Sequence, residues 1–230
     1  ASGRPVDDIS FHIRKWNLPF DFDILVGLNG CEVVNRITGT QTLTHTLRVD
    51  QLRMAVDVMR RQGFDFIPFV YQGDRILAED ITEVIRTSAL KSGKTPVKAS
   101  LDQICQDNAK IMLRTQNEEE TARMEAYIAA HPIEGIKGFR TQATLLEFAH
   151  PEISKAVPLP QIAADLGISL SQVMACGDTT NDNEMLQTAG IGVCLANGTP
   201  DTKACADFVT DLDCDHDGLA VFFHEQYPQL

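Results

Sequence analysis

Asp178 and Asp182 are the pair in this sequence best spaced for shared chemistry. They sit in Gly177-Asp178-Thr179-Thr180-Asn181-Asp182, directly after the apolar run Val173-Met174-Ala175-Cys176. A short apolar run bounded by glycine and followed by a helical pattern predicts a buried parallel strand, and ligands gather at the carboxyl ends of such strands. One tight turn there can aim both carboxylates at one point, with Gly177 allowing close backbone approach. Two hard oxygen ligands on a rigid turn suit Mg²⁺, which takes one or two carboxylates and keeps water and phosphate for the remainder. The competing reading is an Asp/Asn-rich turn that caps the next helix, because both residue types favour such positions on local grounds.

The chain around this turn has 230 residues, 43% of them hydrophobic, and a net charge of -12. That length allows one large domain or two smaller ones. The acidic balance argues against nucleic acid and anionic membranes as partners, since either needs a basic patch that the sequence lacks. No apolar stretch reaches the length of a bilayer span, and no charged-then-apolar start resembles a signal peptide. Six cysteines, at 31, 105, 176, 194, 205 and 214, form no C-x-x-C pair. Free thiols in apolar runs fit a reducing cytoplasm.

The elements that must position the turn alternate strand and helix. Leu159, Ile162, Ala163 and Leu166 make a helical stripe, the strand at Val173 follows, and a helix around Met185 and Leu186 stops at Gly190. Ile191 to Leu195 reads as a strand, Pro200 to Ala206 as a short helix, Phe208-Val209-Thr210 as a last strand and Leu219 to Phe223 as a closing helix. This grammar predicts a doubly wound parallel sheet. Earlier in the chain, a helix over Val6 to Trp16 leads to a strand at Ile24 to Leu28, a turn at Asn29-Gly30 and a hairpin return from Glu32. From Asp50, the expected N-cap of a helix with a Leu52, Ala55, Val56, Met59 stripe, helices alternate with hairpin-like strand pairs. Lys91 to Lys98 reads as a polar loop, Ala109 to Arg114 as a strand, and Asn117 with Glu120 as a capping box. The middle is therefore expected to be an α+β insert with an antiparallel sheet.

Four segments then fall in order: Ala1-Ser2-Gly3-Arg4-Pro5, Ile24 to Gly30, Ser154-Lys155-Ala156, and Gly177 to Asp182. Their order and separation resemble the haloacid dehalogenase superfamily, and within it the Cof-type phosphatases with a large α/β cap. The resemblance implies a Rossmann-like α/β core, residues 1–43 and 149–230, with an α+β cap domain, residues 44–148, inserted in it. It implies a Mg²⁺-dependent phosphatase acting on small phosphate monoesters, sugar phosphates above all, through an aspartyl-phosphate. By the same resemblance Ser2, with Gly3 and Arg4 beside it, is similar to the hydroxyl motif that binds the transferring phosphoryl group. Lys155 is similar to the lysine that neutralises charge, Asp178 to the direct Mg²⁺ ligand, and Asp182 to the carboxylate that acts through water or orients the lysine. Asn181 resembles a phosphate-binding or lysine-binding residue, and Asn29 and Gly30 fall on an active-site loop that could also be a plain hairpin turn. Such a set is chemically coherent, because phosphoryl transfer asks mainly for positioning and charge stabilisation.

The family's first motif, D-x-D-G-T, is absent from the sequence. Asp21-Phe22-Asp23 has the spacing but continues into Ile24-Leu25, so it is read as a decoy. The nucleophile is expected upstream of Ala1, where the chain opens as if partway through an element. Two rivals stay open: a phosphomutase of the same superfamily, and a catalytically silent binding module if the protein lacks the motif altogether. Asp213-Cys214-Asp215-His216-Asp217-Gly218 matches half of a calcium loop, but His224 stands where a bidentate glutamate is needed. It is read as a polar turn.

Overall fold

The computed structural model describes residues 1–228. They divide into two compact units: a terminal unit of Ala1–Ser2 with Ser154–Leu230, and a middle unit of Gly3–Ile153. The class is α/β, with a parallel sheet in one unit and a mainly antiparallel sheet in the other. No helix among the described residues is long and apolar enough to cross a membrane.

The middle unit opens with α1 (Val6–Trp16), acidic in its first turn and basic in its last, as the helix dipole favours. An antiparallel meander follows: β1 (Ile24–Gly27), β2 (Glu32–Asn35) and β3 (Thr40–Leu43). Next come α2 (Val49–Arg61), β4 (Ile67–Gln72), β5 (Arg75–Ala78), α3 (Glu83–Lys91), β6 (Thr95–Lys98), α4 (Leu101–Ile104), β7 (Lys110–Arg114), α5 (Glu118–Ala130), β8 (Lys137–Gln142) and β9 (Leu145–Ala149). The strands from β4 onward form one six-stranded sheet in the order β6-β5-β4-β7-β9-β8. Neighbours are antiparallel except β5 and β6.

Strand alternation explains the packing of this sheet. Ile111 and Leu113 of β7, with Leu146 and Phe148 of β9, join the α2 stripe of Leu52, Ala55, Val56 and Met59 in one core. Met112 and Leu145, on the opposite face, pack with Phe69, Ile76, Ile85 and Ala89. Each side chain points away from its neighbours in the strand, so β7 and β9 are buried on both sides. The second face also carries charge. Lys110 Nζ donates to Glu147 Oε2 at 2.7 Å and to the Gly3 carbonyl at 3.1 Å, and Thr141 Oγ1 donates to Glu147 Oε1 at 3.0 Å. Both ionic side chains are under a tenth exposed. Removing one partner strands the other's charge, so Glu147→Gln is expected to lower unfolding stability by about 3 kcal/mol. Urea titration checks this, and a Lys110→Met, Glu147→Leu pair should recover most of the loss.

Local detail departs from the sequence reading at two places. Helix α2 is capped by Arg48 and not Asp50: Gln51 Oε1 accepts from Arg48 N, and Asp107 Oδ1, distant in sequence, accepts from Val49 N. Residues 95–98, read as loop, form β6, an edge strand that tolerates Pro96 because one side needs no donor. Contacts also group residues 3–43 with the middle of the chain. The physical reason is a small cluster in which Leu28 and Cys31 pack with Ala109, Ala149 and Ile153. At Asn117 the expected cap is present, its Oδ1 accepting from Glu120 N at 2.9 Å, while the Glu120 carboxylate turns outward to accept from Asp65 N.

The terminal unit follows the expected alternation: α6 (Leu159–Asp165), β10 (Met174–Gly177), α7 (Asn183–Thr188), β11 (Ile191–Cys194), α8 (Pro200–Cys205), β12 (Phe208–Val209) and α9 (Gly218–Gln226). Its sheet is parallel in the order β10-β11-β12, with Met174 opposite Ile191 and Val193 opposite Phe208. Ala156, Ala175, Met185 and Leu186 make its core.

Candidate active site

Strand β10 ends at Gly177 and hands the chain directly to Asp178, so the aspartate stands at the carboxyl end of a parallel strand. The next residues close a single turn, Thr180–Asp182, of 3₁₀ helix before α7. Asp182 folds back over the strand end, and its Oδ2 accepts from the backbone N–H of Asp178 at 3.2 Å and of Thr179 at 3.3 Å. A side chain at Gly177 would collide with Asp182, so glycine is required here for space. Thr179 Oγ1 donates to Asn181 Oδ1 at 2.8 Å and stiffens the middle of the turn.

Lys155 completes the arrangement from 27 residues away, its Nζ donating to Asp182 Oδ1 at 2.6 Å. Lysine and aspartate are nearly buried, at 10% and 5% side-chain exposure. A buried pair of this kind holds its geometry because either charge alone would be costly. Both oxygens of Asp182 are therefore engaged, one by the ammonium and one by the turn's own amides. Asp178, on the same turn, is only partly buried.

Ser2 belongs to the same unit as Lys155, Asp178, Asn181 and Asp182. Gly3, Arg4, Asn29 and Gly30 lie in the middle unit. There the Asn29 amide packs against Gly3, where an added Cβ would come within 3.1 Å of its Oδ1, and the Arg4 carbonyl accepts from Leu28 N at 2.8 Å. Arg4 also pairs with the buried Asp8 at 3.6 Å. The loop that presents Asn29 runs through three consecutive left-handed residues, Leu28 (φ 52°), Asn29 (φ 55°) and Gly30 (φ 96°). For leucine that conformation is strained.

Both decoys have local explanations. Asp21 is an exposed residue paired with Arg36, and its carboxyl is held below the usual range by the Phe22 N–H first and by Arg36 second. Asp213 accepts from the backbone of Asp215 and His216 and from His216 Nδ1 at 2.6 Å, closing a turn before α9. Among the described residues no group of three or more His, Cys, Asp or Glu side chains is arranged to hold a metal. A cleft of about 360 Å³ in the middle unit, whose lining includes Glu32, Tyr71, Lys94 and Lys110, contains none of Ser2, Lys155, Asp178 or Asp182.

One set of polar residues beside the turn escaped the sequence reading. Asp201, at the start of α8, takes hydrogen bonds from the side chains of Thr199, Asn183 and Thr180, which together depress its pKa to about 2. Thr202 is fully buried and donates to Asn183 Oδ1 at 2.6 Å. The only hint in the sequence was Thr199-Pro200-Asp201-Thr202 at a helix start, which any helix can carry.

Comparison with known proteins agrees with the geometry. A family model for haloacid dehalogenase-like hydrolases matches residues 1–223. A 5-amino-6-(5-phospho-D-ribitylamino)uracil phosphatase of Bacillus subtilis is 25% identical over 239 aligned positions, covering 99% of this chain and 83% of that protein. Among solved structures, a haloacid dehalogenase-like hydrolase from Bacteroides thetaiotaomicron superposes with a TM-score of 0.83 at 23% identity, covering 99% of this chain and 85% of its own. A sugar phosphatase of subclass IIB superposes with a TM-score of 0.77 at 20% identity, over 98% of this chain and 83% of its own.

Proposed function

The chain belongs to the haloacid dehalogenase-like hydrolases, and from that premise we propose that it is a Mg²⁺-dependent phosphatase of small phosphate monoesters, chiefly sugar phosphates, working through an aspartyl-phosphate. With its phosphatase relatives, the family makes it a phosphoric monoester hydrolase. The observation that carries the finer proposal is the buried Lys155–Asp182 pair held against the turn that bears Asp178. In this reading residues 44–148 are the cap, and the attacking aspartate belongs to a segment ahead of Ala1, because no D-x-D-G-T occurs in the sequence.

The donor chemistry fits magnesium. Asp178 offers a hard, partly exposed carboxylate at a strand end, and one or two such ligands are all that Mg²⁺ asks of a protein. Asp182 would act on the ion through water at most, since its oxygens already hold Lys155 and the turn. Bound there, Mg²⁺ would supply Lewis-acid neutralisation of phosphoryl charge. The chain's own groups do the rest. Lys155, locked by Asp182, keeps a fixed positive charge where phosphoryl oxygens gather, at no cost of reorganisation. Ser2 Oγ donates a hydrogen bond to a phosphoryl oxygen and Asn181 a second.

Protein that carries the preceding segment should release inorganic phosphate from p-nitrophenyl phosphate and from sugar phosphates with Mg²⁺, and stop when EDTA is added. Transfer of the phosphoryl group to a second sugar hydroxyl without phosphate release would mark a mutase. No turnover of any ester under these conditions would defeat the enzyme reading.

A further inference from the structure

The turn that bears Asp178 and Asp182 is gripped from behind by a chain of side chains that the reaction itself does not use. Thr199 N donates to the Asp178 carbonyl at 2.9 Å, fixing the start of the turn. At its other end, the residue after Asp182 is Asn183, whose Oδ1 accepts from Thr202 Oγ1 at 2.6 Å and whose Nδ2 donates to Asp201 Oδ2 at 2.8 Å. The Thr199 and Thr202 hydroxyls lie 2.8 Å apart and link the two ends. Since the Thr202 proton goes to Asn183, the hydroxyl of Thr202 accepts from Thr199, whose single proton Asp201 also attracts. The result is a closed loop of bonds from Asp178 through Thr199, Thr202 and Asn183 back to Asp182.

Thr202, at the centre of this network, has no access to solvent. Thr199 is the N-cap of the six-residue helix α8 and Pro200 its first residue, so the network ties the start of that helix to the turn. We propose that Thr202 and Asp201 are positioning residues: through Asn183 and Thr199 they hold Asp178 and Asp182 in the geometry that accepts a divalent cation. The proposal rests on the metal reading above. Partners behind a metal ligand commonly set affinity by about 10- to 100-fold through orientation alone.

The test is cation affinity, measured directly by Mn²⁺ electron paramagnetic resonance and Mg²⁺ calorimetry on the intact protein, beside its kinetics. Thr202→Val, which keeps shape and removes the hydroxyl, should weaken ion binding by about tenfold and lower kcat at fixed Mg²⁺, leaving the ester KM near its original value. Thr202→Ser, which restores the hydroxyl, should restore affinity. Asp201→Ala, at an exposed position, should weaken binding in the same direction and decides the matter if Thr202→Val proves unstable by circular dichroism. Wild-type affinity in both Thr202→Val and Asp201→Ala overturns the inference while leaving the phosphatase reading intact. A wild-type protein that binds neither ion overturns both.

Discussion

Replacing Asp178 with alanine is expected to reduce turnover of a phosphate ester by about 10³-fold or more, because a metal's charge stabilisation is worth several kcal/mol and each 1.4 kcal/mol is about tenfold. The fold should survive. Asp178 is partly exposed at a strand end, and the turn is closed by Asp182 and by backbone groups that the substitution keeps. The circular dichroism melt should therefore stay near that of the parent while Mn²⁺ binding disappears. Asp178→Asn gives the sharper comparison, since it keeps the shape and removes the charge that draws the cation. An Asp178→Ala protein within tenfold of parent activity would exclude this residue from the reaction.

Lys155→Ala should produce two losses at once. Chemically, it removes the fixed ammonium that balances phosphoryl charge, and turnover should fall by about 10²- to 10³-fold, comparable to deleting a preorganised donor elsewhere. Structurally, it leaves Asp182 buried without its counter-ion, a defect that typically costs about 3–5 kcal/mol. The double change Lys155→Met with Asp182→Asn separates the two. Removing both charges should restore much of the stability, read by urea unfolding, and none of the turnover. If stability and activity return together, Lys155 was a structural residue only.

The sequence made the turn at Asp178 legible because every cue was local: an apolar run, a glycine, two carboxylates four apart and a helix. Helix order and the parallel grammar of residues 159–226 follow from the same short-range pattern. Partners remote in sequence were not legible from spacing. The Lys155–Asp182 pair came from resemblance to a family, and nothing in the sequence links Asn183 to Thr202 or Lys110 to Glu147. The cap of α2 failed for a similar reason. Asp50 is the better local candidate, but Asp107 reaches the helix start from the loop between α4 and β7 and lets the helix begin at Val49. Polar residues misled the reading of β6, since an edge strand that pairs on one side only can carry them.

The backbone at Leu28, Asn29 and Gly30 bears on how this protein is compared with its kin. Three left-handed residues in a row admit few side chains, glycine and asparagine foremost, and shut out the β-branched ones. Invariance across those columns of an alignment would thus be expected from steric geometry before any substrate is invoked. Evolutionary constancy there is weak testimony for chemistry, whereas constancy at Lys155, whose φ is unremarkable and whose ammonium is held nearly buried against Asp182, would point to the charge itself.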